Sequence, residues 1–102
     1  MPHSTLPDDM AAHDALLTLE ELCRRSHVDA AWVTELVDYG VIDAHGRSHA
    51  EWHFAAVTIV TVAKAKRLQR DLSLNPPGIA AVLDLLEQIE DLKAQLRTRG
   101  NE

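Results

Sequence analysis

The sequence contains one cysteine, Cys23, so a disulfide within the chain is excluded. Cys23 stands among the apolar positions of a predicted helix, which favours a small packed side chain over a reactive thiol. The chain has no apolar run near the roughly 20 residues that cross a bilayer. Its start, MPHSTLPDDM, lacks the basic and apolar regions of a secretory signal. We therefore expect a cytoplasmic protein with no membrane partner.

Positive charge is scarce and unevenly placed. The chain has 10 lysines and arginines against 16 aspartates and glutamates, a net charge of −6 at pH 7. Residues 1–54 carry three cations and ten acids, whereas residues 55–72 carry four cations and one acid. Residues 73–102 carry three cations and five acids. Neutralisation of phosphates supplies most of the affinity of a compact DNA-binding domain. The excess of negative charge therefore argues against a nucleic-acid partner.

Motifs for catalysis and metal binding are also missing. The sequence has no nucleophile with an adjacent base, no glycine-rich phosphate loop and no HExxH motif. His45, His49 and His53 are spaced by four residues, but they fall in a predicted turn and strand, where this spacing does not bring three rings together. We therefore predict no enzymatic activity, no metal and no cofactor.

Two short helices with clear end signals form the centre of the sequence. Thr18 and Glu21 make a capping box for the first helix, which should end near Ser26. Asp29 is a good N-cap for the second helix, and Gly40 suits the left-handed position that follows a helix. The short turn between them predicts two helices that pack at an angle, as in a helix-turn-helix.

A small wing is predicted after the second helix. Val33, Leu36 and Val37 give this helix a buried face. Val41-Ile42 is a short β-prone pair, and Glu51 to Phe54 alternates polar and aromatic residues as a half-buried strand does. The two segments should form the β-hairpin of a winged helix-turn-helix within a mostly α chain.

The flanking regions complete the predicted organisation. Residues 1–14 should be a flexible tail, and Ala15 to Leu17 a short extended piece before the first helix. The winged helix-turn-helix core then covers residues 15–75, with a third helix from Ala55 to Leu72. Residues 76–102 should form a C-terminal helix that begins at Pro76 after the N-cap Asn75.

The C-terminal helix has two apolar rows. One row follows the spacing of three and four residues that is typical of a coiled-coil seam; its members are Val82, Leu85, Ile89, Leu92 and Leu96. The other row, Ile79, Leu83 and Leu86, can pack on the domain. Since one small domain does not need both rows, we predict a homodimer through the seam. The alternative is a single long helix folded fully against its own domain.

The second helix lacks the residues that read DNA. Base edges are contacted mainly by Arg, Lys, Asn and Gln, whereas this helix offers the carboxylates of Asp29, Glu35 and Asp38 and no cation. These carboxylates are either a simple solvated face or a docking face for a basic protein surface. In the second interpretation Trp32 is a candidate apolar anchor, although it can equally belong to the core.

From Thr18 to Leu86 the chain resembles the MerR-like helix-turn-helix group. The resemblance lies in the opening TLEELCRRSHVD, in VDYGVI before the wing, and in the junction from Arg67 to Ile79. Within that group, the acidic second helix, Trp52 and Phe54 at the end of the wing, and LSLNPPGIAAVLDLLEQIEDLKAQLR are most similar to the chaperone modulators of the CbpM type.

The resemblance implies a function. Proteins of the CbpM type bind the J-domain of CbpA, a DnaJ-like co-chaperone, and block its access to DnaK. A J-domain presents a basic helix to DnaK, so an inhibitor should offer carboxylates, here those of Asp29, Glu35 and Asp38.

Two other functions remain open from the sequence. One is a MerR-like DNA-binding transcription regulator whose basic patch is formed by Lys64, Lys66, Arg67 and Arg70. The other is a purely structural dimerisation module, which would bind neither a J-domain nor DNA.

Overall fold

A computed structural model describes residues 16–100. The elements follow in the order β1 (Leu16–Thr18), α1 (Leu19–Ser26), α2 (Ala30–Asp38), β2 (His53–Ala55), α3 (Thr58–Leu72) and α4 (Pro76–Gly100). One turn of 3-10 helix, His49–Glu51, precedes β2. The predicted mostly α winged helix-turn-helix with a long C-terminal helix is confirmed. The tail predicted over residues 1–14 lies outside the described residues.

The ends of α1 are set by local hydrogen bonds. The backbone N–H of Glu21 donates to Thr18 Oγ1 at 3.1 Å, and the N–H of Thr18 donates to Glu21 Oε1 at 2.9 Å. The helix ends at Ser26 because His27 adopts the left-handed conformation, with φ at 58°. The predicted capping box and the predicted end of this helix are therefore both confirmed.

The second helix begins and ends as its sequence predicts. The N–H of Trp32 donates to Asp29 Oδ1 at 2.8 Å, which caps the first turn of α2. Gly40 has φ at 77°, a conformation that costs glycine little because it has no Cβ. Val33 and Leu36 are fully buried, so the predicted apolar face of α2 does enter the core.

The strand before the third helix pairs with a different partner from the one predicted. β2 is antiparallel to β1, with Leu16 opposite Ala55, and not to Val41-Ile42. The N–H groups of Val41 and Ile42 both donate to the carbonyl of Leu36, so they complete the end of α2 and are not free for a strand. The extended piece predicted before α1 supplies the missing strand.

The wing itself is a loop closed at its base. The backbones of His45 and His53 exchange two hydrogen bonds of 2.9 and 2.8 Å, which hold the two ends of the loop together. Ile42, at the start of the wing, is only 5% exposed and packs in the core. The apolar side chain of Ile42 is thus used for packing between helices rather than for a hairpin.

The third helix begins at Thr58, later than the predicted Ala55, because Ala55 is still part of β2. Val62 and Ala65 of α3 are fully buried. They belong to a core that draws on every element; its buried apolar members are Leu17, Leu22, Val33, Leu36, Ile42, Phe54, Val62, Ala65 and Ile79.

The C-terminal helix packs on this core only through its first turns. Asn75 caps it, since the N–H of Gly78 donates to Asn75 Oδ1 at 3.0 Å. Ile79 is fully buried and Leu83 packs against the core, whereas Leu86 is 49% exposed. Every residue over 84–100 is exposed. The alternative of a helix folded fully against its own domain is therefore wrong.

The length of α4 does not make it a membrane span. None of the helices in residues 16–100 combines the length and the apolar character that crossing a bilayer requires.

Candidate protein-binding surface

Glu35 and Asp38 lie together on the exposed side of α2. Residues three positions apart on a helix are neighbours on its surface, and both side chains are exposed. The buried side of the helix is occupied by Val33 and Leu36, so the two carboxylates point away from the core. Neither forms an ion pair with any residue over 16–100. We call the surface formed by Glu35 and Asp38 the acidic face.

Trp32 stands three positions before Glu35 on α2, and Asp29 stands three positions before Trp32, at the start of the helix. Asp29 is exposed, but its Oδ1 is engaged in the cap of α2. Trp32 is half-buried and packs against the core, and its indole Nε1 is buried without a hydrogen-bond partner among residues 16–100. Both residues line a cleft at the N-terminal end of α2. The four predicted partner-binding residues thus follow one another around α2 at intervals of three, with Asp29 and Trp32 at the cleft and Glu35 and Asp38 on the acidic face.

The cleft has a volume of about 610 Å³ and lies between the end of α1, the turn, the start of α2 and α3. Three of its lining residues can carry positive charge; these are Arg24, His27 and Lys66. Asp29 is the one acidic side chain in the lining. We call this feature the basic cleft. It lies directly beside an acidic helix, so the surface carries charge of both signs.

Cys23 also lines the basic cleft. Burial raises the pKa of its thiol, and the nearby carboxylate of Asp29 raises it further. Because the thiolate is the reactive form, a raised pKa leaves the group protonated and weakly nucleophilic. Cys23 packs against the core, in agreement with its interpretation as a small packed side chain.

The cations on α3 do not form a continuous basic strip. Lys66 Nζ donates to the carbonyl oxygen of Ser26 at 2.8 Å. Arg70 Nε donates to Asp71 Oδ1 at 2.9 Å, and this hydrogen bond lowers the pKa of the Asp71 carboxyl. Two of the four cations of the predicted DNA-binding patch are therefore engaged with neighbouring protein groups.

The other two cations of that patch face acidic residues. Lys64 and Arg67 line a groove of about 880 Å³ between α3 and α4. The opposite wall of the groove carries acidic side chains from α4, namely Glu87, Glu90 and Asp91. A phosphate backbone approaching Lys64 or Arg67 would therefore meet negative charge close by.

Three residues of this surface were not predicted from the sequence. Tyr39, directly after the acidic face, is 53% exposed. Tyr39 lies outside the apolar stripe of Val33 and Leu36, and this position in the sequence could have predicted its exposure. Arg24 and His27 of the basic cleft gave no comparable signal, because cations in the last turn of a helix are expected simply to complement its dipole.

The seam predicted on α4 is exposed for most of its length. Leu85, Ile89, Leu92 and Leu96 have exposed fractions between 45% and 67%. Val82, the first residue of the seam, is half-buried.

Comparison with known proteins gives consistent matches over most of the chain. The family model described as "MerR HTH family regulatory protein" matches residues 17–99. The "Chaperone modulatory protein CbpM" of Pseudomonas entomophila (strain L48) is 35% identical over 79 residues, which cover 78% of each chain. The protein of that name from Coxiella burnetii (strain Dugway 5J108-111) is 38% identical over 82 residues, covering 80% of this chain and 77% of the relative. The chain therefore belongs to the MerR-like helix-turn-helix family and, within it, to the chaperone modulatory proteins of the CbpM type.

Proposed function

We propose that this protein binds the J-domain of a DnaJ-like co-chaperone through the acidic face and thereby inhibits the action of the co-chaperone on DnaK. The observation that carries the proposal is the exposure of Glu35 and Asp38 on a helix that contains no cation. The name of the relatives supports a chaperone-related partner. The basic helix that a J-domain offers to DnaK is the complementary surface.

The charges also support the mode of inhibition. Complementary charge across an interface increases the association rate and sets specificity. If the acidic face covers the basic helix of the J-domain, that helix is no longer accessible to DnaK. Inhibition then needs only competition for one surface, and no chemistry by the modulator. Raising the salt concentration should weaken the complex, because exposed charges are screened within about 10 Å at 0.1 M salt.

The first experiment reverses the charge of the acidic face. We expect the double variant Glu35→Lys, Asp38→Lys to bind the J-domain of the co-chaperone about tenfold more weakly or worse in calorimetric titration, a loss of at least about 1.4 kcal/mol. Asp84→Lys is the control for one reversed carboxylate, since Asp84 is exposed on α4. Circular dichroism should show unchanged helix content. Equal affinity of the double variant and the wild type would remove the acidic face from the interface.

We propose further that the protein is a homodimer joined through the seam of α4. Four large apolar side chains exposed in one row are unfavourable in water, and pairing with the same row of a second copy would bury them. These four side chains lie beyond Leu83, where the helix has left its own core. Pairing there would leave the acidic face of each copy free for a co-chaperone.

Mass measurement tests the dimer. The wild type should elute at twice the chain mass of 11.3 kDa in light scattering coupled to gel filtration. Leu92→Glu, which places a carboxylate in the seam, should shift the protein to the monomer mass. Gln95→Glu adds the same charge at an exposed position outside the seam, and it should remain dimeric. A monomeric wild type, or a dimeric Leu92→Glu variant, would contradict this interface.

DNA binding is the competing function, and it is tested with the same preparation. A DNA-binding protein retains salt-sensitive affinity for random duplex at low salt. We expect no shift of random duplex at about 50 mM salt, because Arg70 is paired with Asp71, and Lys64 and Arg67 lie opposite acidic side chains. A shift that Lys64→Ala and Arg67→Ala abolish would favour the DNA-binding function instead.

A further inference from the structure

The basic cleft differs in chemistry from the acidic face beside it. Arg24 comes from the last turn of α1, His27 from the residue that ends that helix, and Lys66 from α3. The acidic side chain in the lining, Asp29, already accepts a hydrogen bond from the backbone of Trp32. Arg24 and Lys66 outnumber this one carboxylate, so the cleft is a recess of net positive charge at one end of a negatively charged helix.

Lys66 is held in place at the wall of this cleft. Its ammonium group donates to the carbonyl of Ser26 at 2.8 Å, and the bond is partly buried. An ammonium group has three N–H donors, so this bond leaves others for a second acceptor. Since the position of the charge is fixed before any partner arrives, an anion that enters the cleft does not have to order the lysine side chain.

Two further donors near the cleft are without acceptors. The indole N–H of Trp32, a lining residue, is buried and has no hydrogen-bond partner among the described residues. The hydroxyl of Ser26, whose side chain is also buried, has none within residues 16–100 either. Buried polar groups are nearly always hydrogen-bonded in folded proteins, and an internal water is the usual partner where no protein group is within reach, so the cations of the cleft, and not these two donors, are the groups open to a ligand.

We propose that the basic cleft receives the carboxylate of an aspartate or glutamate side chain of the partner protein. The inference rests on the proposed function and adds an orientation to it. A carboxylate accepts several hydrogen bonds and pairs well with guanidinium and ammonium groups. The 610 Å³ of the cleft are ample for one such side chain.

The proposal defines the surface that the partner must present. The cleft lies beside Asp29, at the start of α2, whereas Asp38 ends the helix. Nine residues at about 1.5 Å each separate these ends by roughly 14 Å along the helix axis. The partner surface must therefore carry a carboxylate at one end and basic side chains displaced along the helix axis by roughly 9 Å, for Glu35, to 14 Å, for Asp38. A uniformly basic surface would be repelled by Arg24 and Lys66, so the cleft selects both partner and orientation.

Two adjacent arginines allow a closely matched test. Arg24 lines the cleft and Arg25 does not, although both are exposed and both stand in the last turn of α1. Reversing either charge has a similar effect on the helix dipole. We expect Arg24→Glu to weaken binding to the J-domain at least tenfold in calorimetric titration, and Arg25→Glu to change it less than twofold. Equal losses for the two variants, or no loss for Arg24→Glu, would overturn the proposal.

A charge swap identifies the partner group. Each aspartate and glutamate of the J-domain is replaced by lysine in turn and titrated against Arg24→Glu. One of these J-domain variants should bind Arg24→Glu at least fivefold more tightly than the wild-type J-domain does. None should show such a gain with Arg25→Glu. Absence of any recovery would contradict a carboxylate in the cleft. If the wild type itself does not bind the J-domain, the proposed function fails; if it binds and Arg24 proves irrelevant, only the cleft proposal fails.

Discussion

Lys66 Nζ donates a hydrogen bond of 2.8 Å to the carbonyl oxygen of Ser26 and so links the middle of α3 to the end of α1. The last carbonyls of a helix have no partner within the helix, and they form the negative end of its dipole. A positive side chain placed there satisfies one carbonyl and neutralises part of the dipole. A lysine that the sequence could assign to DNA binding thus has a structural role.

The first prediction concerns this bond. Lys66→Met keeps most of the apolar stem and removes the ammonium group, so it should lower the free energy of unfolding by about 1.5–3 kcal/mol, the usual contribution of a hydrogen bond to a charged group. Lys64→Met removes a charge from an exposed side chain of the same helix and should change stability by less than about 0.5 kcal/mol. Urea unfolding followed by circular dichroism measures both. Equal stability of the two variants would show that the bond is not stabilising.

The wing is attached to α2 by a single side-chain hydrogen bond. Thr34 Oγ1 lies 3.0 Å from His49 Nε2, and the same hydroxyl donates to the carbonyl of Ala30 at 2.8 Å. A hydroxyl has one hydrogen to donate, so Thr34 must accept from His49. Nε2 of His49 therefore carries a hydrogen. The ring of His49 also packs against Trp52, with centroids 4.4 Å apart.

This geometry gives the second prediction. Nitrogen chemical shifts should show neutral His49 as the tautomer with hydrogen on Nε2. Thr34→Ser keeps the acceptor and should preserve the tautomer, whereas Thr34→Val should lose the preference. A neutral ring with hydrogen on Nδ1 would show that the bond does not form in solution.

The third prediction concerns the acid stability of α1. The hydrogen bond from the backbone of Thr18 lowers the pKa of Glu21, and the side chain of Thr18 and the nearby arginines lower it further. A carboxylate with a lower pKa in the folded state stabilises the fold above its unfolded pKa, and this contribution is lost as the pH falls through the folded pKa. The free energy of unfolding should therefore decrease from about pH 5 downward, in part because Glu21 becomes protonated.

Glu21→Gln isolates that contribution. Glutamine can still accept the hydrogen bond of a capping box, but it does not titrate. The unfolding free energy of the variant should change less than that of the wild type between pH 6 and pH 3, as measured by urea titration at each pH. Glu20→Gln is the control, since Glu20 is exposed in the same first turn and does not form the capping box. Identical pH profiles for Glu21→Gln and the wild type would contradict the prediction.

The features predicted correctly from the sequence depend on residues close together in the chain. The capping box of Thr18 and Glu21, the cap at Asp29 and the left-handed Gly40 each involve hydrogen bonds or dihedral angles within one turn. The cap at Asn75 is of the same kind. Local chemistry therefore determines where helices begin and end, and it can be read without knowing the fold.

The features that the sequence did not reveal depend on distant contacts. The strand of Leu16–Thr18 pairs with His53–Ala55 across more than thirty residues of the chain. The basic cleft exists only because Lys66 of α3 meets the end of α1. Neither relationship has a periodic signature. The exposure of Glu35 and Asp38 could be predicted, since the apolar stripe of α2 determines which side faces the core.

The last prediction separates the two roles of Asp29, which caps α2 and places a negative charge beside Cys23. Asparagine is as good an N-cap as aspartate, whereas alanine costs about 1 kcal/mol. Asp29→Asn should therefore keep the stability of the wild type and Asp29→Ala should not, as measured by urea unfolding.

Both variants remove the charge that helps to raise the pKa of Cys23, so both should react faster with iodoacetamide at pH 8. Asp43→Asn, in the wing, controls for overall charge and should leave the rate unchanged. An unchanged rate in Asp29→Asn would mean that the charge of Asp29 does not raise the pKa of Cys23, and that burial, the larger cause, accounts for the whole increase.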